Sequence, residues 1–123
     1  MTMKILVVED NEKNLTLIRD ILEYYGYDVL VAKEGAEALA LAREYLPDLM
    51  LIDIQMPVMD GLTAAKHLKS DPLTRPIRLI ALTSFAMKGD RERMLEAGFD
   101  DYIAKPIDTR KLPEIVKRYM PAA

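Results

Sequence analysis

Residues 48–62 read DLMLIDIQMPVMDGL. Asp48 opens an apolar run, Asp53 breaks it, and QMPVMDG follows at once. A carboxylate at the end of a buried strand loses hydration unless a cation or hydrogen-bond donors compensate. Asp53 therefore either emerges at a sheet edge into a site, or the run is not a strand.

The segments on either side decide between these. KILVV, YDVLVA and IRLIALT are further short runs rich in β-branched residues, and DYIAK is a fifth. Helical patterns alternate with them. In NLTLIRDILEYYG, Leu15, Ile18, Leu22 and Tyr25 share one stripe, and Gly26 is placed to end the helix. GAEALALAREYLP stops before Pro47, Gly61–Lys69 reads as a third helix, and MKGDRERMLEAG ends at Gly98. A last helix runs to about Met120. Pro113 is tolerated best at a first helical position, so the pattern predicts a turn over Thr109–Leu112 and regular helix from Pro113.

Alternating strands and helices imply βαβ units on a parallel sheet. The first, third and fourth strands are apolar throughout, as expected when helices cover both faces. The expected fold is α/β: a doubly wound, flavodoxin-like, five-stranded parallel sheet in the order 2-1-3-4-5, with five helices on both faces. The 123 residues are expected to form a single domain, 1–123.

In such a sheet, ligands bind beyond the carboxyl ends of the strands, where the strand order reverses. Strand one ends in Glu9-Asp10, strand three in Asp53, strand four in Thr83 and strand five in Lys105. Taken singly, each has an ordinary reading: helix start, turn, strand end, solvated charge. Their coincidence at one edge makes a site. Clustered carboxylates repel, and some should titrate high. An all-oxygen set with few carboxylates suits Mg2+, and the backbone carbonyl of Gln55 could complete it. A hard cation, the Lys105 ammonium and the Thr83 hydroxyl together fit a phosphoryl group, with Asp53 as nucleophile. His67, without a partner, and the eight methionines have ordinary packing or surface readings.

Composition excludes other classes. The net charge of −3 argues against a nucleic-acid partner. The absence of cysteine removes disulfides and thiolate metal sites. No apolar run approaches the roughly 20 residues of a membrane span, so no membrane partner is expected. The N-terminus lacks a signal-peptide pattern, which points to a cytoplasmic protein.

ILVVEDN, DLMLIDIQMPVMDGL, IALTSFAMKGD and EAGFDDYIAKPI together resemble the response-regulator receiver domains of two-component signalling. The resemblance spans essentially the whole chain. It implies that Asp53 is the phospho-acceptor, that Asp10 ligates Mg2+ directly, that Glu9 acts mostly through water, and that the Gln55 carbonyl is a further ligand. It implies that Thr83 binds a phosphoryl oxygen, that Lys105 pairs with phosphate before a cis Pro106, and that Tyr102 is the switch aromatic. Gln55 and Phe85 would overhang the path of a hydrolytic water, making a dephosphorylation gate that favours slow self-dephosphorylation.

The implied protein is a phosphorelay switch rather than an enzyme in its own right. Its partners would be a histidine kinase or histidine phosphotransfer protein and a downstream protein target. The chain starts at strand one and ends in MPAA after the last helix, so the expected output is protein–protein contact, through helix 4, strand 5 and helix 5. The segment 85–108 is similar to receivers of hybrid kinases and to stand-alone regulators of cell division and polarity. A haloacid-dehalogenase-type phosphatase would need an acid two residues after the nucleophile, where Gln55 stands. A flavodoxin-like cofactor binder would not put Glu9-Asp10 against phosphate. A receiver-like scaffold that is never phosphorylated would have no use for the complete site.

Overall fold

A computed structural model describes residues 2–84 and 88–120. Among these the order is β1 (Lys4–Val8), α1 (Glu12–Tyr24), β2 (Asp28–Ala32), α2 (Gly35–Tyr45), β3 (Leu49–Asp53), α3 (Gly61–Ser70), β4 (Arg78–Thr83), α4 (Lys88–Ala97), β5 (Asp101–Ala104) and α5 (Lys111–Tyr119). The strands form one parallel sheet in the order β2-β1-β3-β4-β5. The doubly wound arrangement expected from the sequence is the one observed.

Alternate side chains of the central strands feed two cores, because successive strand residues point to opposite faces. Leu6, Val8, Met50, Ile52, Leu79 and Ala81 meet Ala38 and Ala42 of α2, Ala65 and Leu68 of α3, and Met94 and Ala97 of α4. Ile5, Val7, Leu49, Leu51, Ile80 and Leu82 meet Leu15, Ile18 and Leu22 of α1 and Leu112 and Val116 of α5. Burial on both faces is why β1, β3 and β4 carry unbroken apolar runs.

The helix starts aim loops at the carboxyl edge of the sheet. Asn11, not Asp10, caps α1: its side-chain oxygen accepts the Asn14 N–H at 3.0 Å. Asp10 is left in the turn between β1 and α1. Asp60 caps α3, accepting the Thr63 N–H at 2.8 Å.

Two expectations need correction. Pro113 is the third residue of α5, which begins at Lys111 rather than at Pro113. The first-turn N–H groups of a helix have no intrahelical partner, so a proline there removes no bond. Asp108 organises that start, its carboxylate accepting the Arg110 N–H at 2.9 Å. Tyr25 does not continue the α1 stripe. It is the exposed C-cap, because the chain leaves the helix toward Gly26 at φ +90°.

Candidate functional site

Parallel pairing sets the site's frame. In register, Val8 stands opposite Ile52, Asp53 opposite Leu82, and Thr83 opposite Ala104. The residues that follow each strand therefore converge on one edge. Glu9 is held there by its N–H to the Ala32 carbonyl (3.0 Å), and Lys105 by its N–H to the Thr83 carbonyl (2.8 Å). The Lys105–Pro106 bond is cis.

Glu9 is fully buried and Asp53 is 1% exposed. Lys105 lies between them, its Nζ 2.9 Å from Glu9 Oε1 and 3.0 Å from Asp53 Oδ2. The Glu9 contact is an ion pair without hydrogen-bond alignment, which leaves that buried oxygen without a hydrogen-bond partner. Asp53 Oδ1 accepts the Gln55 N–H at 2.9 Å. The Gln55 side chain reaches the neighbouring strand end and accepts the Ser84 N–H at 3.3 Å.

Two acids and one base in a dry setting titrate together. Burial, with Asp53 beside it, pushes Glu9 up from 4.5 to about 7. Burial also opposes the charged form of Asp53, but the Glu9 carboxyl, the Gln55 N–H and Lys105 outweigh it and hold Asp53 below the usual carboxylate range. Desolvation would lower the Lys105 ammonium; Glu9 and Asp53 more than offset this and hold it above its ordinary value. The anion that persists is thus on Asp53, the residue expected to be the nucleophile.

Asp10 completes the carboxylate set from the exposed side. Oxygens of Glu9, Asp10 and Asp53 lie within 4.8 Å of one another. Three hard oxygen donors, among them a buried Glu9 oxygen held only by its ion pair with Lys105, fit a small divalent cation.

Thr83 is buried at the end of β4. It borders a cleft of about 310 Å3 between α3 and α4, lined also by Ile54, Gln55, Asp60, Arg93 and Met94. The half-buried Tyr102 ring packs against the core beneath α2, α3 and α4. Phe85 lies outside the described residues.

Two features of the site escape sequence reasoning. The sequence gives no sign that Glu9 lies directly against Lys105. Gly61 supports Asp53 from behind, since a Cβ there would sit 2.5 Å from the Asp53 carbonyl oxygen. The MDG that leads into α3 carries that second signal, but only as a glycine at a helix start.

The chain matches the response regulator receiver domain family over residues 5–117. It is 48% identical over 120 residues to the polar-differentiation response regulator DivK of Brucella ovis, covering 98% of each chain. DivK of Brucella anthropi matches equally well. Among solved structures, it resembles the receiver domain of the sensor histidine kinase PA1611 of Pseudomonas aeruginosa, which has a magnesium ion coordinated in its active-site cleft. The TM-score is 0.88 at 38% identity, covering 97% of this chain and 98% of that one. The chemotaxis response regulator CheY4 of Vibrio cholerae has a TM-score of 0.93 at 25% identity, covering 98% and 100%.

Proposed function

The chain belongs to the response regulator receiver domain family, and from that premise we propose that Asp53 is the residue through which it is switched. An Asp53 carboxylate oxygen attacks the phosphorus of a phosphohistidine on a histidine kinase or phosphotransfer protein. The P–N bond breaks, the imidazole takes up a proton, and an acyl phosphate forms on Asp53. The observation that carries this reading is the buried Asp53 carboxylate, kept anionic 3.0 Å from the Lys105 ammonium.

Glu9, Asp10, Asp53 and the Gln55 carbonyl would hold Mg2+, which would supply positive charge to offset the negative charge that gathers during phosphoryl transfer. Lys105 exchanges a carboxylate for a phosphoryl oxygen as the charge on Asp53 moves outward. Thr83 offers its hydroxyl to a second phosphoryl oxygen. Movement of Thr83 makes room for the Tyr102 ring, and the face made by α4, β5 and α5 carries the change to a downstream protein. Residues 1–123 act as one receiver unit in the cytoplasm. The 48% identity with the polar-differentiation regulator DivK favours a role in polar differentiation.

Phe85 carries neither donor nor acceptor, and Gln55 offers no acid or base, so the acyl phosphate should be long-lived. Replacing Phe85 by glutamate should speed phosphate loss at least tenfold, which requires only about 1.4 kcal/mol of transition-state stabilisation. The central reading is tested by incubating the protein with acetyl phosphate and Mg2+ and measuring intact mass. Addition of one phosphoryl group is expected; no adduct would reject the phospho-acceptor.

A further inference from the structure

The loop from β3 to α3 carries one strained residue. Val58 has φ +69°, where a β-branched side chain is an outlier. The Met59 N–H donates to the Pro57 carbonyl at 2.8 Å, so Val58 is the centre of a γ-turn with positive central φ, a rare and strained form. Its side chain is fully exposed, at 109%. Strain of this kind lowers stability, and no burial among the described residues offsets it.

The turn is pinned on both sides. On one side the Gly61 N–H donates to the Ile54 carbonyl at 3.0 Å, and Gly61 abuts the Asp53 carbonyl. On the other, Met59 lies over Gly35 at the start of α2, close enough that a Cβ on Gly35 would strike its sulfur at 2.8 Å. The loop thus leaves the Asp53 strand and returns to it, with Val58 at the tip. Gly61 is three Cα–Cα steps from Val58, so the tip is within about 11 Å of the backbone that touches Asp53. An asparagine or glycine would occupy this conformation with less strain.

We propose that Val58 is a specificity-determining apolar contact for the protein phosphodonor: its isopropyl group seats on the apolar surface beside the donor's phosphohistidine. The inference rests on Asp53 being the acceptor. Whatever protein brings a histidine to Asp53 must approach this edge, and the pinned turn presents Val58 to it in a fixed position. A small-molecule donor reaches Asp53 without touching the tip.

The test compares two donors on the purified chain: acetyl phosphate, and the fastest donor to wild type from a panel of autophosphorylated histidine kinases. Val58→Asn keeps the turn and removes the apolar group; Val58→Ile keeps the apolar group. Expected for Val58→Asn is at least a tenfold loss of kcat/KM with the kinase, carried by KM, an unchanged rate with acetyl phosphate, and an equal or higher Tm. Val58→Ile should transfer like wild type with the kinase. An unchanged kinase rate for Val58→Asn overturns the proposal. So does an equal loss with both donors, which would mean that the turn shapes the Asp53 site itself. If acetyl phosphate fails to modify even the wild type, it is the acceptor reading that falls.

Discussion

Both ends of the sheet carry carboxylates at strand termini, but in opposite conditions. At the amino end, Asp48 accepts the Lys4 N–H at 2.9 Å. Asp100 accepts the Leu79 N–H at 2.9 Å and pairs with Arg78 at 3.4 Å. Asp101 accepts the Tyr102 N–H at 2.8 Å and the Tyr119 hydroxyl at 2.9 Å. Each has backbone or side-chain donors of its own and keeps some contact with water. At the carboxyl end, Glu9 and Asp53 are buried and share one ammonium. The carboxylates at the amino end are satisfied; those at the carboxyl end are crowded around one cation, the arrangement that the proposed phosphorylation site would need.

The sharpest way to break this comparison is to remove one carboxylate from each end. Asp53→Asn should abolish labelling by acetyl phosphate, while Asp48→Asn should label at the wild-type rate. Intact mass after a fixed incubation decides it. An adduct of equal yield on Asp53→Asn would move the acceptor elsewhere.

The next effect is the pH dependence of stability without metal. Glu9 titrates near 7 in the folded protein against an ordinary 4.5. Between those values the folded state binds more protons than the unfolded, so stability falls as pH rises. Asp53 works in the opposite sense, but its contribution is lost only below its ordinary 3.8, outside this window. Wild type should therefore lose stability relative to Glu9→Gln between pH 5 and 7.5, by on the order of 3 kcal/mol at about 1.4 per pKa unit. Thermal melts in chelator measure the difference. A gap between the two proteins that stays constant with pH would mean Glu9 is charged throughout.

Much of this was readable in advance, for reasons that also mark the limit. The strand runs lie within one residue of the observed strands because burial on both faces leaves no polar position to blur them. Glu9, Asp53, Thr83 and Lys105 were legible because a parallel sheet brings strand ends together whatever their separation in sequence. Pro113 misled because helix starts tolerate proline over the whole first turn, so the residue marks a region and not a boundary. Tyr25 misled because hydrophobic period says nothing about where a helix stops. The depth of Glu9 and the positive φ of Val58 depend on tertiary closure of loops, and no local pattern encodes either.

At the amino end the expected effect is on stability alone. Asp100→Ala would leave the N–H of fully buried Leu79 without its side-chain partner and Arg78 without its counter-ion. An unmet buried donor costs about 2 kcal/mol. Denaturant melts should show that loss with labelling of Asp53 unchanged. A loss of labelling instead would link the two ends of the sheet, and the division between structural and chemical carboxylates would no longer hold.

The smallest expected effect is the response to metal, and it separates the two ends without touching the acceptor. A cation that binds only the folded site stabilises it by RT ln(1 + [L]/Kd), about 1.4 kcal/mol at ten times Kd. Mg2+ should therefore raise Tm by a few degrees for a chain of this length. Asp10 is the exposed member of the carboxylate set. Asp10→Asn removes one ligand and one repulsive charge, so it should shrink the Mg2+ shift while leaving the metal-free protein equally or slightly more stable. The gain is small, since solvent screens exposed charge. Asp48→Asn, with its carboxylate tied to the Lys4 N–H at the far end, should keep the full shift. Melts of the three proteins across a magnesium titration measure all of this. Equal shifts in all three would place the cation somewhere other than Glu9, Asp10 and Asp53, and the crowding of those carboxylates would then need another explanation.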